Sequence, residues 1–147
     1  MGLKAAELCS IDFVDVQLPE SALLGDENFC YQTFIDLANL AWCGLAIGCA
    51  QAIQDYVVNY CNERIAFGEP VSHRQSVAFM IANIGIELES MRLLTYRASS
   101  RAEQGLSFHR EAYLAKILCS DKAMEIGTNG VQLLGGHGFI KDHPVER

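Results

Sequence analysis

The spacing of apolar residues changes from a period of two to a helical period near residue 28. Before that point, Ile11–Phe13 and Val14–Leu18 alternate apolar and polar residues, as half-buried strands do. The phase slips between these two runs, which predicts a bend or a β-bulge. A lone strand is unstable without partner strands. We therefore interpret residues 1–24 as the tail of a preceding β domain.

From residue 28 onward, the apolar spacing predicts long amphipathic helices. The first helix should run to about Glu63, after which Phe67–Pro70 breaks the pattern. Ser72, followed by Gln75 three residues later, predicts a capping box that opens a second helix. This second helix should end before Gly105 and bury one apolar face. The predicted face comprises Val77, Met80, Ile81, Ile84, Leu88 and Met91.

A third helix should follow Ser107 and end at the glycine-rich run Gly135–Gly138. Its predicted inward residues are Leu114, Ile117, Leu118 and Met124. Pro144 fits the first turn of a short fourth helix. Long helices with short connections form an up-and-down bundle. We therefore predict an all-α fold, an up-and-down helical bundle with a short N-terminal β segment, in which residues 25–147 form the bundle domain, truncated at its C-terminus.

Composition limits the classes of partner. The chain has 147 residues, half of them apolar, and a net charge of −7. This acidity argues against nucleic-acid binding, which needs clustered Lys and Arg. The most apolar run, Leu37–Ala50, is too short to span a bilayer and contains Asn39, so we predict a buried helix and leave membrane association open. The six cysteines form no Cys-x-x-Cys pair, and we interpret them as reduced thiols.

Several catalytic motifs are missing from the sequence. No Glu precedes a His by three residues, as a di-iron bundle requires, and no His-Glu-x-x-His zinc motif occurs, so we expect no metal site. The hydrolase elbow, the P-loop and the dinucleotide Gly-x-Gly-x-x-Gly are absent as well. The four histidines are near predicted loops, where we expect surface positions. They are His73, His109, His137 and His143.

Four segments follow one another in a specific order along the helical part. They are Glu63–Gly68, Arg74–Gln75, Gln132–Phe139 and Pro144–Arg147. Together with the opening Met1–Lys4, the strand around Asp15 and Val16, and Pro19, this arrangement resembles the acyl-CoA dehydrogenase family. The resemblance covers the C-terminal helical domain and the tail of the middle β domain, which is nearly every residue. Each segment alone is a weak signal, whereas the ordered set is specific.

The resemblance implies FAD as the cofactor. Arg64 matches an Arg that contacts the FAD diphosphate, often that of a neighbouring subunit, and a guanidinium suits bidentate phosphate binding. Taken alone, Arg64 is equally a solvated charge at a helix end, and the glycine run is a plain helix stop. The other residues that match cofactor-contacting positions are Phe67, Arg74, Gln75, Gln132, Leu133, Leu134, Gly135 and Gly136.

Glu146 carries the catalytic hypothesis. It matches the family's base, which removes the α-proton of an acyl-CoA thioester while the β-hydrogen leaves as hydride to the flavin. Binding of the acyl chain would desolvate such a base and strengthen it. Without the Pro-Val-Glu-Arg context, Glu146 is typical of a surface carboxylate. Some family members place the base on the first long helix, where Ala38 stands in this sequence.

Three residues match positions at the substrate end of the family's site. Asp36 matches an Asp near the bound substrate, and Arg147 follows the matched base directly. The Arg usually found three residues after this Asp is replaced by Asn39. Because that Arg helps order the substrate end, the replacement bears on activity and on the choice of substrate.

The resemblance therefore implies a fragment of a flavin-dependent acyl-CoA dehydrogenase of fatty acid β-oxidation. The complete enzyme would pass electrons to an electron-transfer flavoprotein and form a homo-oligomer, a dimer or a tetramer. It would reside in the mitochondrial matrix of a eukaryote or in the cytoplasm of a bacterium. We expect this fragment alone to be inactive. Two alternatives keep the fold: a non-catalytic scaffold or assembly module, and a flavoenzyme resembling the acyl-CoA oxidases or a related monooxygenase.

Overall fold

Three long helices form the body of the molecule. The computed structural model describes residues 9–26 and 28–146. Helix α1 spans Tyr31–Glu63, α2 spans Gln75–Glu103 and α3 spans His109–Leu134. Each helix packs against the other two, and short connections join them. The predicted helical bundle is confirmed, with all three long helices close to their predicted bounds.

A small hairpin interrupts the chain between α1 and α2. Strand β1, Ile65–Ala66, pairs antiparallel with β2, Glu69–Pro70. The turn residues Phe67 and Gly68 both have positive φ, 57° and 89°, as the two-residue turns favoured in hairpins require. The sequence predicted a helix break at this point, and the structure shows that the break is an ordered hairpin.

The starts of α2 and α3 differ from their predicted caps. Ser72 lies inside a short 3-10 helix, Val71–His73, and the N-cap of α2 is Arg74, without a side-chain capping bond. The backbone N–H of Arg74 donates to Val71 O at 3.1 Å. The predicted capping box of Ser72 and Gln75 is therefore wrong, because the 3-10 turn occupies the place of the cap. At α3, Phe108 is the N-cap in place of Ser107.

The N-terminal segment contains no strand within residues 9–26. The apolar side chains of Ile11–Leu18 are exposed, and the chain bends at Asp15, where φ is 49°, close to the predicted slip in phase. The predicted short β segment is thus not formed within residues 9–26. A strand needs a partner with which to form a hydrogen-bonded ladder, and the described chain offers none. Met1–Lys4 lie outside the described residues.

Two short 3-10 helices follow α3. Gly135–Phe139 forms the first and Pro144–Glu146 the second. Both pack on the end of α3 and contact each other. The glycine run ends α3 as predicted, and the predicted start of a fourth helix at Pro144 is confirmed as a 3-10 turn.

The core lies along the three-helix contact. It combines large side chains, mainly from α2, with small ones from α1 and from the first half of α3, among them Val57, Cys61, Ile84, Leu88, Met91, Ala112, Ala115 and Ile126. On α2, the prediction of Ile84, Leu88 and Met91 as buried is confirmed. On α3, it was wrong for Leu114, Ile117 and Met124, which are exposed. Alanines face inward there because closely packed helices leave little room between their backbones.

Among the described residues, α1 alone has the length and apolar character of a membrane-spanning helix. Core helices of globular bundles meet the same criteria, and α1 packs along both α2 and α3. Within the predicted buried run Leu37–Ala50, one stripe is buried and the opposite side is exposed, including Trp42 and Leu45. The helix therefore has an outer apolar surface that the described residues leave uncovered.

Candidate functional site

A groove of about 430 Å³ opens where the end of α1, the start of α2 and the end of α3 meet. It brings together seven of the nine residues that the sequence matched to cofactor contacts. Those seven are Arg64, Arg74, Gln132, Leu133, Leu134, Gly135 and Gly136. The remaining lining residues are Tyr60, Val71, Val77 and His137. Residues separated by up to 77 positions in the sequence, Tyr60 and His137, thus line a single cavity.

Two guanidinium groups border the groove. Arg64 is the C-cap of α1, and its backbone N–H donates to Tyr60 O at 2.9 Å, which fixes its place at the helix end. Arg74 Nη2 donates to Ala66 O at 3.3 Å, so the hairpin holds this side chain. The groove residues include no Asp or Glu, although the chain carries a net charge of −7. The groove is therefore a cationic site in an acidic protein.

Phe67 and Gln75 lie outside the groove. Phe67 stands at the tip of the hairpin with 95% of its surface exposed. The Arg74 guanidinium lies 5.1 Å from the centre of its ring, a cation–π contact that ties the aromatic ring to the rim. Gln75 is the first residue of α2 and is exposed. The structure therefore places these two predicted residues beside the groove and does not bring them into its lining.

The turn after α3 exposes main chain to the groove. Gly135 has φ 60° and ψ −134°, a conformation that glycine adopts without steric cost. A side chain at Gly135 or Gly136 would meet no atom of the described chain within 4 Å, so both faces are open. Leu133 and Leu134 point into the core instead. They are 7% and 3% exposed, so little of either residue is open to a ligand.

The segment carrying Glu146 is packed against α1 and α3. Glu146 ends the 3-10 helix that begins at Pro144, and it is half-buried. Its neighbour Val145 packs against Gly130 of α3 and close to Ile53 of α1. A Cβ added at Gly130 would clash, because it would lie 2.9 Å from Val145 Cγ1 and 2.6 Å from Ile53 Cγ2. The glycine therefore allows Val145 to dock closely. Arg147 lies outside the described residues.

The two predicted substrate residues of α1 face different cavities. Asp36 is 3% exposed, accepts a hydrogen bond from Gln32 Nε2 at 3.0 Å and lies 2.9 Å from His109 Nδ1. It lines a cavity of about 470 Å³ beside the α2–α3 connection. Asn39 lines another cavity of about 320 Å³ with Trp42. Asp36 and Asn39 are thus neighbours one turn apart on α1 that line different cavities, and Asp36 pairs with His109.

The sequence analysis did not predict the contacts that three of the four histidines make. His73 and His109 are exposed, as predicted, but His109 is the partner of Asp36. The prediction of surface positions is wrong for His137 and His143, which are half-buried and contact tyrosines of α1. The spacing of Tyr56 and Tyr60 by one helical turn was the available hint.

These features define the class of site. A cationic groove with two arginines, open glycine main chain and no lining carboxylate suits the diphosphate of a dinucleotide cofactor. The arginines supply charge, and the glycines let the backbone approach the ligand. The residues present therefore fit the flavin cofactor that the sequence implied.

Comparisons with known proteins agree with this class. The family model for the acyl-CoA dehydrogenase C-terminal domain matches residues 31–147. The mitochondrial short-chain specific acyl-CoA dehydrogenase of Bos taurus is 34% identical over 150 residues, which covers 100% of this chain and 36% of the relative. Butyryl-CoA dehydrogenase from Megasphaera elsdenii superposes with a TM-score of 0.83 at 33% identity, over 92% of this chain and 36% of that chain. PigA with FAD and proline superposes with a TM-score of 0.74 at 26% identity, over 76% of this chain and 29% of that chain.

The chain belongs to the acyl-CoA dehydrogenase family, and residues 31–147 match the family's C-terminal domain. It spans 36% of the length of the bovine relative. Its helical fold is that of the solved family structure.

Proposed function

We propose that this chain is the C-terminal part of an FAD-dependent acyl-CoA dehydrogenase that introduces a double bond between the α and β carbons of an acyl-CoA thioester. The observation that carries the proposal is the cationic groove, which unites Arg64, Arg74 and the Gln132–Gly136 turn in a family member. Family membership supplies the reaction class, and the relatives' printed names concern acyl-CoA substrates.

In this proposal the groove binds the cofactor. Arg64 and Arg74 contact its diphosphate, and the main chain of Gly135 and Gly136 approaches it closely. Bound FAD supplies the acceptor for the substrate's β-hydrogen. Phe67 covers the rim of the groove, where Arg74 already holds its ring. Gln75 contributes an amide at the start of α2. The solved structure of PigA with FAD is consistent with a flavin on this fold.

Glu146 acts as the base. Its carboxylate takes the α-proton of the thioester, while the β-hydrogen leaves with its electron pair. The half-buried position of Glu146 restricts water, and a bound acyl chain would complete its desolvation. Val145, docked in the space above Gly130, fixes the main chain beside the carboxylate. Reacting groups held in this way gain rate through orientation.

The substrate end of the site is proposed at Asp36, Asn39 and Arg147. Asp36 presents a buried carboxylate, and His109 Nδ1 lies 2.9 Å from its oxygen. We propose that Asn39 narrows or shifts the range of acyl groups accepted. Asp36 and Asn39 line separate cavities, which supports a substrate pocket whose shape differs from that of relatives with an Arg at the position of Asn39.

The partners and location follow the family. The proposed electron acceptor is an electron-transfer flavoprotein, and the complete protein is proposed to be a homo-oligomer. The bovine relative is named as a mitochondrial protein. We propose the mitochondrial matrix for this protein if its source is a eukaryote and the cytoplasm if it is a bacterium.

Product analysis of the complete polypeptide containing this chain tests the proposal. Incubated with a panel of acyl-CoA thioesters and an artificial electron acceptor, it should yield the 2-enoyl-CoA, which mass spectrometry detects as the loss of two hydrogens. Turnover that instead consumes oxygen and forms hydrogen peroxide without the acceptor would support an oxidase. A stable flavoprotein that converts no thioester would contradict catalysis and favour the scaffold.

A further inference from the structure

Two tyrosines on one face of α1 reach the segment that follows α3. Tyr56 and Tyr60 are four residues apart, so their side chains lie one above the other. The hydroxyl of Tyr60 lies 2.7 Å from His137 Nδ1, and that of Tyr56 lies 2.7 Å from His143 Nδ1. Both distances are those of a good hydrogen bond. All four side chains are half-buried, which shields these bonds from water.

The two pairs form one cluster. The imidazoles of His137 and His143 stack with their centres 5.3 Å apart and their planes 16° from parallel. Tyr60 stands edge-on to both rings, with centre distances of 6.1 Å and 5.6 Å. We call Tyr56, Tyr60, His137 and His143 the tyrosine–histidine cluster. Edge-to-face and stacked rings of this kind add packing energy beyond their buried area.

Each pair fixes a different part of the proposed site. His137 lies in the 3-10 helix Gly135–Phe139 and lines the cationic groove. Tyr60 also donates to Leu134 O at 3.4 Å, so it secures the glycine turn at two points. His143 directly precedes the Pro144–Glu146 turn, and Tyr56 lines a cavity with Pro144 and Val145.

Main-chain bonds alone hold this segment weakly. Between the two 3-10 turns, the described backbone hydrogen bonds are long, 3.3 Å from Ile140 N to His137 O and 3.5 Å from His143 N to Ile140 O. The shorter side-chain bonds to α1 therefore determine where the segment sits. Because Tyr56 and Tyr60 belong to the long helix α1, these bonds fix the segment relative to the body of the bundle.

We propose that the tyrosine–histidine cluster positions the two working parts of the site relative to each other. The Tyr60–His137 pair holds the glycine turn for the cofactor, and the Tyr56–His143 pair holds the Glu146 turn for the substrate. The stacked imidazoles transmit a displacement of either turn to the other. This role rests on the proposed function, and all four residues are positioning residues because each acts through its neighbour.

Selective kinetic effects in the complete polypeptide test this division of labour. Tyr56→Phe removes one hydroxyl and should lower the rate constant of flavin reduction at saturating acyl-CoA about fivefold, with the FAD dissociation constant unchanged. Tyr60→Phe should raise the FAD dissociation constant about fivefold, with a smaller effect on the reduction rate constant. In the double variant the two losses in the reduction rate constant should combine non-multiplicatively, because the stacked rings couple them.

Conservative variants distinguish positioning from folding. His143→Asn keeps a hydrogen-bonding atom near the place of Nδ1 and should retain most of the reduction rate, whereas His143→Leu should match Tyr56→Phe. Tyr96→Phe is the matched control, since Tyr96 is exposed on α2, and it should behave as wild type. Equal loss of thermal stability in both tyrosine variants without the selective kinetic split would overturn the proposal.

Amide hydrogen exchange gives a readout that does not depend on activity. Tyr60→Phe should speed exchange in residues 135–139, and Tyr56→Phe should speed it in residues 143–146, while α1 stays protected. Failure of wild type to reduce its flavin with any acyl-CoA would contradict the proposed function, and exchange would still decide the positioning. Unchanged exchange in both variants would overturn the role of the cluster even in an active enzyme.

Discussion

At the scale of single residues, two glycines set the closest approaches around the site. A Cβ at Gly138 would lie 2.3 Å from Val131 O, a backbone atom that cannot move aside. A Cβ at Gly130 would lie 2.6 Å from Ile53 Cγ2. Both positions therefore need glycine for space. The first keeps the turn at the groove folded back on α3, and the second lets the Glu146 turn dock.

Gly138→Ala in the complete polypeptide should displace the turn. We expect a loss of about 1–3 kcal/mol in the free energy of unfolding, as overpacking in tight sites produces, together with weaker FAD binding. Denaturant unfolding and flavin titration measure the two effects. The matched control is Gly127→Ala on α3, where a Cβ would meet no atom of the described chain within 4 Å. Gly127→Ala should raise the free energy of unfolding by up to about 1 kcal/mol, because Ala has the higher helix propensity. Equal effects of the two substitutions would contradict a steric requirement for glycine at position 138.

Cysteine environments differ sharply along α1. Hydrogen bonds with the side chain and backbone of Thr33 lower the pKa of the exposed Cys30 below its ordinary value of 9.0. Burial raises the pKa of Cys61. All six cysteines are free, so each thiol is available to a reagent that can reach it.

Alkylation should therefore label Cys30 long before Cys61. The thiolate is the nucleophile, so the rate at Cys30 should rise with pH and reach half its maximum below pH 9.0. Cys61 should stay protected until unfolding. Iodoacetamide labelling at several pH values, read by peptide mass spectrometry, measures this. The mild loss of reactivity expected at Cys30 in Thr33→Val serves as the control. Comparable labelling of Cys61 in the native protein would contradict the packing described.

At the scale of elements, one buried carboxylate connects α2 and α3. Glu111 of α3 is 7% exposed, and its oxygens lie 3.7 Å from Arg97 Nη2 and 3.6 Å from Arg101 Nε, both on α2. Arg110 adds a third guanidinium at 3.8 Å. A buried carboxylate without these partners would be costly. The arginines therefore fix the start of α3 against the end of α2.

Glu111→Gln should loosen this end of the bundle. We expect a loss of about 1–2 kcal/mol, because the amide keeps the shape but loses the charge, and because the arginines are largely solvated. Thermal unfolding of the complete polypeptide measures the change, and added salt should reduce it. Glu103→Gln, at an exposed carboxylate of α2, should leave the melting temperature unchanged. If Glu111→Gln left the melting temperature unchanged, the ion pairs of Glu111 would not be what stabilises the contact between α2 and α3.

Periodicity predicted the helices well and their details less well. The i, i+3, i+4 spacing located Ile84, Leu88 and Met91 in the core, because burial of one face decides helix pattern. It failed for Met124 of α3, because size alone does not say which side of a close helix contact an apolar residue takes. It also missed the hairpin at Phe67, where a non-glycine residue adopts positive φ. Local sequence carries little signal for such a turn.

The candidate site was predicted in part. The groove residues were matched through the order of family segments, and the structure brings Arg64, Arg74 and the glycine turn together. The pairing of Asp36 with His109 joins residues 73 positions apart. The contacts of the tyrosine–histidine cluster likewise cross from α1 to the end of the chain. Contacts of this range depend on helix packing, which no local pattern encodes.

At the scale of the whole molecule, the bundle exposes apolar side chains on several outer faces. On α2, Phe79, Ile86 and Leu93 recur every seven residues and are 59%, 64% and 68% exposed. Residues seven apart lie on one face of a helix, so they form a continuous stripe. Exposed apolar surface of this kind marks contacts with other domains or subunits. The stripe supports the proposed homo-oligomer.

Ile86→Glu in the complete polypeptide should weaken subunit association, because it places a charge in the middle of the α2 stripe. Light scattering coupled to size-exclusion chromatography should show a lower mass than wild type. Ser99→Glu adds the same charge on the same helix at an exposed position on another face, six residues after Leu93, and should keep the wild-type mass. If Ile86→Glu kept the wild-type mass, the α2 stripe would not lie between subunits and would instead contact another domain of the same subunit.

The central claim is that Glu146 removes a proton from an acyl-CoA while bound FAD accepts the hydride. The most direct test is anaerobic addition of acyl-CoA thioesters to the purified complete flavoprotein, with the visible flavin absorbance recorded. We expect rapid bleaching in wild type and in Asp142→Asn, which changes an exposed carboxylate four residues earlier, and none in Glu146→Gln with FAD still bound. Bleaching that persists in Glu146→Gln, or a bound flavin that no acyl-CoA bleaches, would contradict this claim.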